Sequence, residues 1–183
     1  MTTKTFSLVC LTLFLVQTIV CQPKSLEMRG DESSMRYRIV HPLHKIEASS
    51  KEVKYRLEAD PAMKKIYSVT AEVDVTTYDS GNSNRDSHAM EVIDAITYPE
   101  ASFSSTSIVQ DGDSVDVAGK LTFHGITRDI LIKSAPTWSE SRLRVVGDFA
   151  ISLTDFKIER PSLLFMPVED TLRFSFVAVF GIQ

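Results

Sequence analysis

Residues 113–132 read DSVDVAGKLTFHGITRDILI, and this stretch decides the fold class. Apolar and polar side chains alternate before Gly125, and the alternation resumes after it. In a β-strand, successive side chains point to opposite faces, so a pattern that repeats every two residues indicates a strand. Two such runs around a glycine predict two antiparallel strands joined by a tight turn, each with one buried face.

The same alternation recurs along most of the chain. The other predicted strands occupy residues 37–40, 51–59, 66–78, 101–109, 143–151 and 172–180. Residues 84–95 have helical spacing, and Ser83 or Asn84 is the expected N-cap. Pro136 and its neighbours in residues 134–141 predict a loop. About eight strands with one short helix indicate an all-β domain, whose sheet must be closed or doubled to bury its apolar face.

The chain begins with a predicted secretory signal at residues 1–21. Lys4 is the only charged residue of this segment, and residues 6–20 are almost wholly apolar. That apolar run is shorter than the roughly 18 residues of a membrane-spanning candidate. We expect cleavage between Cys21 and Gln22, and acylation of Cys21 is an alternative that the sequence leaves open.

After the predicted signal, residues 22–35 are polar and predict a flexible leader, which residues 36–183 follow as a single domain. Both cysteines of the chain, Cys10 and Cys21, precede the leader, so the mature domain would contain no disulfide. The chain has 20 basic and 24 acidic residues without a basic cluster, which argues against a nucleic-acid partner.

No motif for nucleophilic catalysis or cofactor binding stands out in the sequence. It contains no G-x-S-x-G elbow, no phosphate-binding glycine loop and no dinucleotide fingerprint. His41, His44 and His88 offer three imidazoles, so a metal-dependent hydrolase is one alternative. Pro42 keeps the first two histidines off a regular helix, and the predicted mature domain has no cysteine. We therefore expect no catalytic residue, no metal and no cofactor.

Three segments resemble motifs of the YceI-like family and occur in the family's order. Residues 84–90 (NRDSHAM) resemble its R-D-x-H-M motif, and residues 98–105 (YPEASFSS) resemble its Y-P-x-h-x-F-x-S motif, where h is apolar. Residues 117–128 (VAGKLTFHGITR) are similar to its V-x-G-x-L-T-h-H-G-V-T segment. The resemblance covers residues 37–183 and implies an extended, lipocalin-like, eight-stranded antiparallel β-barrel with one short helix.

The resemblance also implies a function. YceI-like proteins bind polyisoprenoids, isoprenoid quinones or fatty-acid derivatives inside the barrel, so we expect a periplasmic or secreted protein that sequesters or transports a hydrophobic lipid and contacts membranes transiently. The predicted ligand wall consists of Phe103, Leu121, Phe123, Ile130, Ile132, Val145, Phe149, Phe165, Leu172, Phe174 and Phe176. The other alternative is a barrel filled by these side chains that acts as a protein-interaction or envelope stress module and binds its partner through the outer surface.

Two local features carry further expectations. The family often has a D-F-G run where residues 155–157 read DFK, and the lysine is expected to change a turn or to bring a charge toward the barrel mouth. Arg85 with Asp86, and Arg128 with Asp129, are expected to form ion pairs that fix loops near that mouth. The alternative is that these charges surround the head group of a ligand.

Overall fold

The computed structural model describes residues 23–182, so the predicted signal at residues 1–21 and Gln22 lie outside the described residues. Twelve strands and one α-helix are found in this part. The strands are β1 (Lys24–Met28), β2 (Ser34–His41), β3 (His44–Ser50), β4 (Lys54–Asp60), β5 (Lys65–Asp74), β6 (Glu100–Asp111), β7 (Ser114–Phe123), β8 (Ile126–Trp138), β9 (Arg142–Ser152), β10 (Ser162–Leu163), β11 (Met166–Pro167) and β12 (Thr171–Gly181). The helix α1 (Ser83–Val92) follows β5, and no helix within residues 23–182 has the length and apolarity to cross a membrane.

Eight of the strands close into an antiparallel barrel. Around the ring they run β1, β4, β5, β6, β7, β8, β9 and β12, and β12 returns to β1. The closing step pairs Glu27 with Gly181 and Met28 with Phe180. This architecture confirms the predicted eight-stranded barrel with one short helix, and it closes the sheet as a large antiparallel sheet requires.

One edge of β12 is shared by two strands. Its final residues pair with β1, whereas residues 173–177 pair with β2. The chain then turns between His41 and His44, so that β2 and β3 form a hairpin. Along the outer edge of β3, the described chain provides a single bridge, from Ser49 to Asp79. The wall of the barrel is therefore not continuous between β3 and β4.

The helix α1 and its flanking residues lie at this discontinuity. The Asn82 side chain accepts a hydrogen bond from the Arg85 backbone N–H at 3.1 Å and caps the helix, one residue before Ser83 and two before Asn84, the candidates from the sequence. Met90, Val92 and Ile93 pack against the barrel core. The helix thus contributes apolar side chains to the interior where the strand ladder is interrupted.

The hairpin of β7 and β8 matches its prediction. His124 and Gly125 form the turn with φ values of 49° and 70°, and positive φ at both central residues is typical of a type I′ turn. The His124 Nδ1 atom lies 2.9 Å from the Phe156 carbonyl oxygen, which anchors the turn. A Cβ atom on Gly125 would lie 2.5 Å from a ring carbon of Tyr98, so glycine is needed here for space as well as conformation.

Residues 23–35 are not part of the flexible leader that the polar composition of residues 22–35 predicted. Lys24–Met28 form β1, and β2 begins at Ser34. Leu26 is only 8% exposed and pairs with Leu57 of β4. Backbone pairing on both sides of β1 holds a strand that has a single buried apolar side chain, so the barrel begins at β1.

The predicted loop at residues 134–141 is wrong as far as Trp138, where β8 ends. Pro136 pairs with Val145, and Trp138 pairs with Leu143, in register with β9. The prediction failed because it treated Pro136 as a strand breaker. Proline lacks a backbone N–H donor, but its fixed φ is compatible with an extended strand.

The DFK segment keeps a tight turn despite its lysine. Lys157 has φ 55° and ψ 31°, which is the left-handed conformation, and its backbone N–H donates to the Thr154 carbonyl at 3.0 Å. The side chain of Lys157 is exposed. A residue with a Cβ atom therefore occupies a conformation that glycine adopts more easily.

Candidate binding cavity

A cavity of about 230 Å³ lies inside the barrel. A site for one water needs about 10–15 Å³, so this space is much larger than a packing void. Its lining is mostly apolar and comes from β2 to β9, from β12 and from α1. A hollow interior argues against the alternative in which side chains fill the barrel.

Ten of the eleven predicted wall residues line this cavity. They are Phe103, Leu121, Phe123, Ile130, Ile132, Val145, Phe149, Leu172, Phe174 and Phe176. Alternation along β6 to β9 and β12 directs them to one side of the sheet, and closure of the sheet makes that side the interior. The rings of Phe149 and Phe174 stack with centroids 4.8 Å apart. The contact of these residues with a ligand stays a prediction.

The eleventh residue, Phe165, was wrongly assigned to the wall. It is fully exposed and has a φ of 66° in the turn between β10 and β11. These two short strands form a separate two-stranded sheet outside the barrel ladder. The apolar identity of Phe165 did not reveal which side of the wall it occupies, because residues 163–167 have no alternation.

Three tyrosines that the sequence reasoning did not select also line the cavity. Tyr37 comes from β2, Tyr55 from β4, and Tyr78 from the segment before α1. The ring centroids of Tyr37 and Tyr78 are 5.3 Å apart, and the Tyr55 ring lies 6.0 Å from that of Phe176. The alternation in residues 51–59 puts Tyr55 on the same face as Val53 and Leu57, but no pattern in the sequence identifies Tyr78.

Polar side chains of α1 line the same region. The Arg85 Nε and Nη2 atoms donate to the Ser80 hydroxyl and carbonyl at 2.9 and 3.1 Å. The Asp86 carboxylate accepts from the Ser80 N–H at 3.1 Å. Burial, and secondly the Asp86 carboxylate, raise the pKa of Tyr37, while Arg85 opposes them. Arg85 and Asp86 thus fix the loop through Ser80, instead of through the expected ion pair with each other.

The second expected pair is also replaced by other contacts. The Arg128 Nε atom donates to the Asp155 carbonyl at 3.2 Å. Asp129 accepts from the Lys120 ammonium at 2.9 Å across the β7–β8 ladder. Lys157, two residues after Asp155, is not among the residues that line the cavity.

The histidines do not form the metal site of the hydrolase alternative. The His41 Nδ1 atom accepts from the Leu43 N–H at 3.2 Å, and its Nε2 atom lies 2.8 Å from the Met166 carbonyl, so both ring nitrogens are engaged by backbone. His88 is on α1, with its Nδ1 atom 3.6 Å from a Glu91 oxygen. Within residues 23–182, no group of three or more His, Cys, Asp or Glu side chains is placed to hold a metal ion.

The sequence model of the YceI-like domain family matches residues 27–180. The chain is 38% identical over 99 residues to the UPF0312 protein of Vibrio parahaemolyticus, across 49% of this chain and 52% of that protein. It is 30% identical over 110 residues to protein YceI of Escherichia coli, across 56% of each. The chain thus spans about half the length of these curated relatives.

Two solved structures share the fold. Burkholderia cenocepacia BcnA has a TM-score of 0.76 and 22% identity, over 84% of this chain and 99% of that one. A polyisoprenoid binding domain from Saccharophagus degradans has a TM-score of 0.62 and 16% identity, over 87% of this chain and 98% of that one. At these identities the likeness is one of architecture.

Proposed function

The chain belongs to the YceI-like domain family, and from this membership and the hollow barrel we propose that it binds an amphiphilic lipid in its interior. We infer a binding protein that sequesters or transports this lipid, and no catalysed reaction. The observation that carries the proposal is the wall of ten apolar side chains around the cavity. The polyisoprenoid-binding relative in fold favours a polyisoprenoid, an isoprenoid quinone or a fatty-acid derivative as the ligand.

Burial of the lipid's apolar surface would drive binding. Removing apolar surface from water contributes about 25 cal/mol per Å², so a ligand that buries roughly 300 Å² gains about 7.5 kcal/mol. The ordering of a flexible chain subtracts from this gain. The cavity is part of the folded barrel, so separation of the core adds nothing to the cost of binding.

We propose a periplasmic or secreted location, with residues 1–21 acting as a removable signal. A lipid carrier suits this location because an insoluble chain needs a shielded path between membranes. Intact-mass measurement of the protein isolated from its host tests the location. A mature chain that begins at Gln22 supports it, and a chain that retains Met1 contradicts it.

We also propose a transient contact with a membrane through an apolar tip, which consists of Leu43, Leu164 and Phe165. Leu164 is 69% exposed, Phe165 is fully exposed, and Leu43 is 58% exposed in the neighbouring β2–β3 turn. The contact of the His41 Nε2 atom with the Met166 carbonyl holds the two turns together. An exposed cluster of aromatic and aliphatic side chains is typical of a surface that inserts into the interface of a bilayer.

Native mass spectrometry of protein purified without detergent, before and after chloroform–methanol extraction, tests the binding function. A stoichiometric adduct with an isoprenoid or acyl mass that moves to the organic phase supports the proposal and identifies the ligand. A bare mass, together with no uptake of an added quinone or fatty amide, contradicts it.

A further inference from the structure

Tyr37, Tyr55 and Tyr78, the tyrosine cluster, form a polar patch in a mostly apolar wall. They come from β2, from β4 and from the segment before α1, so they lie on both sides of the discontinuity between β3 and β4. The Ser50 hydroxyl, 2.6 Å from that of Thr77, and the bridge from Ser49 to Asp79 tie the Tyr78 segment to β3. The cluster is thus held at a fixed place beside α1.

The Tyr55 and Tyr78 hydroxyls are buried, and neither has a hydrogen-bond partner among residues 23–182. Only 6% of the Tyr55 surface is exposed. Buried phenol groups nearly always have a partner, because an unsatisfied hydroxyl in an apolar environment is unfavourable. Both side chains line the cavity, but their hydroxyl oxygens are covered by neighbouring atoms. A small shift of the covering side chains is therefore part of bringing a ligand oxygen to the two hydroxyls.

The chemistry of the cluster selects for an uncharged partner. Burial, and secondly the neighbouring tyrosine, raise the pKa of both Tyr55 and Tyr78, so both stay protonated as hydrogen-bond donors at neutral pH. The one arginine of the described lining, Arg85, is already engaged by Ser80. The carboxylate of Asp86 on α1 also lies near the cluster and disfavours an anionic group.

We propose that the tyrosine cluster is the polar subsite of the cavity, where the Tyr55 and Tyr78 hydroxyls donate hydrogen bonds to an uncharged carbonyl oxygen on the lipid. A quinone or a fatty amide carries such an oxygen, whereas a fatty acid at neutral pH carries a carboxylate. This inference rests on the proposed lipid binding and adds the class of head group and its position beside α1.

The test compares three probes of equal chain length: oleamide with a neutral carbonyl, oleate with a carboxylate and 1-octadecene with neither. Their affinities are measured by displacement of the neutral dye N-phenyl-1-naphthylamine. We expect the unmodified protein to bind oleamide more tightly than oleate. In the Tyr55→Phe/Tyr78→Phe double variant, we expect oleamide affinity to fall about tenfold and 1-octadecene affinity to stay within about twofold.

Two controls separate a hydrogen-bonding role from a packing role. Tyr67→Phe removes a phenol hydroxyl from β5 that does not line the cavity, and we expect oleamide affinity to be unchanged. Thermal unfolding of the ligand-free double variant should occur at or above the temperature of the unmodified protein, because the change removes two unsatisfied polar groups.

Three outcomes would overturn the inference. Unchanged oleamide affinity in the double variant excludes the hydrogen bonds. An equal loss for oleamide and 1-octadecene assigns the tyrosines to wall packing alone. Failure of the unmodified protein to bind any of the three probes overturns the proposed lipid binding itself, and the subsite with it.

Discussion

Buried phenol groups make the stability of a protein depend on alkaline pH. The pKa of Tyr55 and that of Tyr78 are raised by burial in the folded state. In the unfolded chain, the same groups ionise at about pH 10. The folded state therefore holds these protons more tightly, so its stability is intact below about pH 10 and decreases above it.

We expect the free energy of unfolding to fall above about pH 10 by about 1.4 kcal/mol per pH unit for each of these two phenols. Tyr55→Phe removes one of these contributions and makes the decrease shallower. Urea unfolding at several alkaline pH values measures the slope of the free energy of unfolding against pH, with Tyr67→Phe as the control. Identical slopes for Tyr55→Phe and the unmodified protein would contradict the prediction.

Lys157 offers a second test at a single residue. Because its φ is 55°, Lys157→Gly relieves the unfavourable contact of Cβ with the backbone, and we expect stability to rise by about 0.5–1 kcal/mol. Lys157→Ala removes the charge but keeps the Cβ atom, so we expect little change. Chemical denaturation of both variants shows whether the backbone conformation or the charge causes the gain in stability. An equal gain in both variants would assign the gain to loss of the charge.

At the scale of single elements, the structure and the sequence prediction disagree on which residue caps α1. Asn82→Ala removes the side-chain acceptor for the Arg85 N–H and should lower the free energy of unfolding by about 1 kcal/mol. Asn84→Ala, at one of the positions that the sequence favoured, is exposed and should have little effect. Thermal or urea unfolding measures both, and a larger loss for Asn84→Ala would place the cap where the sequence had it.

The turn between β10 and β11 carries most of the apolar tip, so its side chains can be tested for membrane binding. Leu164→Ser/Phe165→Ser removes most of the apolar tip, and we expect binding to phospholipid vesicles in a flotation assay to fall several-fold. Affinity for soluble oleamide should be unchanged, because neither residue lines the cavity. The control is Leu131→Ser on the outer face of β8, and an equal loss there would show that the hairpin has no special role.

The strands that the sequence predicted are those whose own side chains define them. β7 alternates along its whole length, and β9 and β12 alternate along most of theirs, so their inward faces are evident from the sequence. β1 and β3 are short, and their inward apolar side chains are few: Leu26 in β1, with Ile46 and Ala48 in β3. Their strand state depends on hydrogen bonds to distant parts of the chain, such as the pairing of Glu27 with Gly181, which local patterns do not contain.

At the scale of the whole molecule, the same distinction applies to the cavity. Alternation and closure together predict which side chains point inward, and ten wall residues follow from that rule. The rule does not apply to Phe165, which lies outside the barrel, or to Tyr78, which follows β5 in a short helical turn and loop. The polar subsite therefore depended on the fold, because its tyrosines meet only when the chain is assembled.

Filling the cavity tests whether the ligand binds inside. Ala71 lines the cavity, so Ala71→Phe should reduce oleamide affinity at least about tenfold while ligand-free stability is kept or raised, since the ring occupies apolar space. Ala150 is exposed on β9, and Ala150→Phe should change neither property. Calorimetric titration with unfolding curves measures both, and unchanged affinity in Ala71→Phe would exclude an internal site.

The shared edge of β12 has a consequence for synthesis. β12 is the last strand of the described chain, yet it pairs with β1, β2 and β9. A nascent chain therefore presents its first strands on the ribosome long before their partner exists, and such unpaired edges promote aggregation. Closure of the barrel must wait for the final strand, so a chaperone can bind the open edges throughout elongation. A chain that stays unfolded until then is also in the state that a narrow secretion channel accepts.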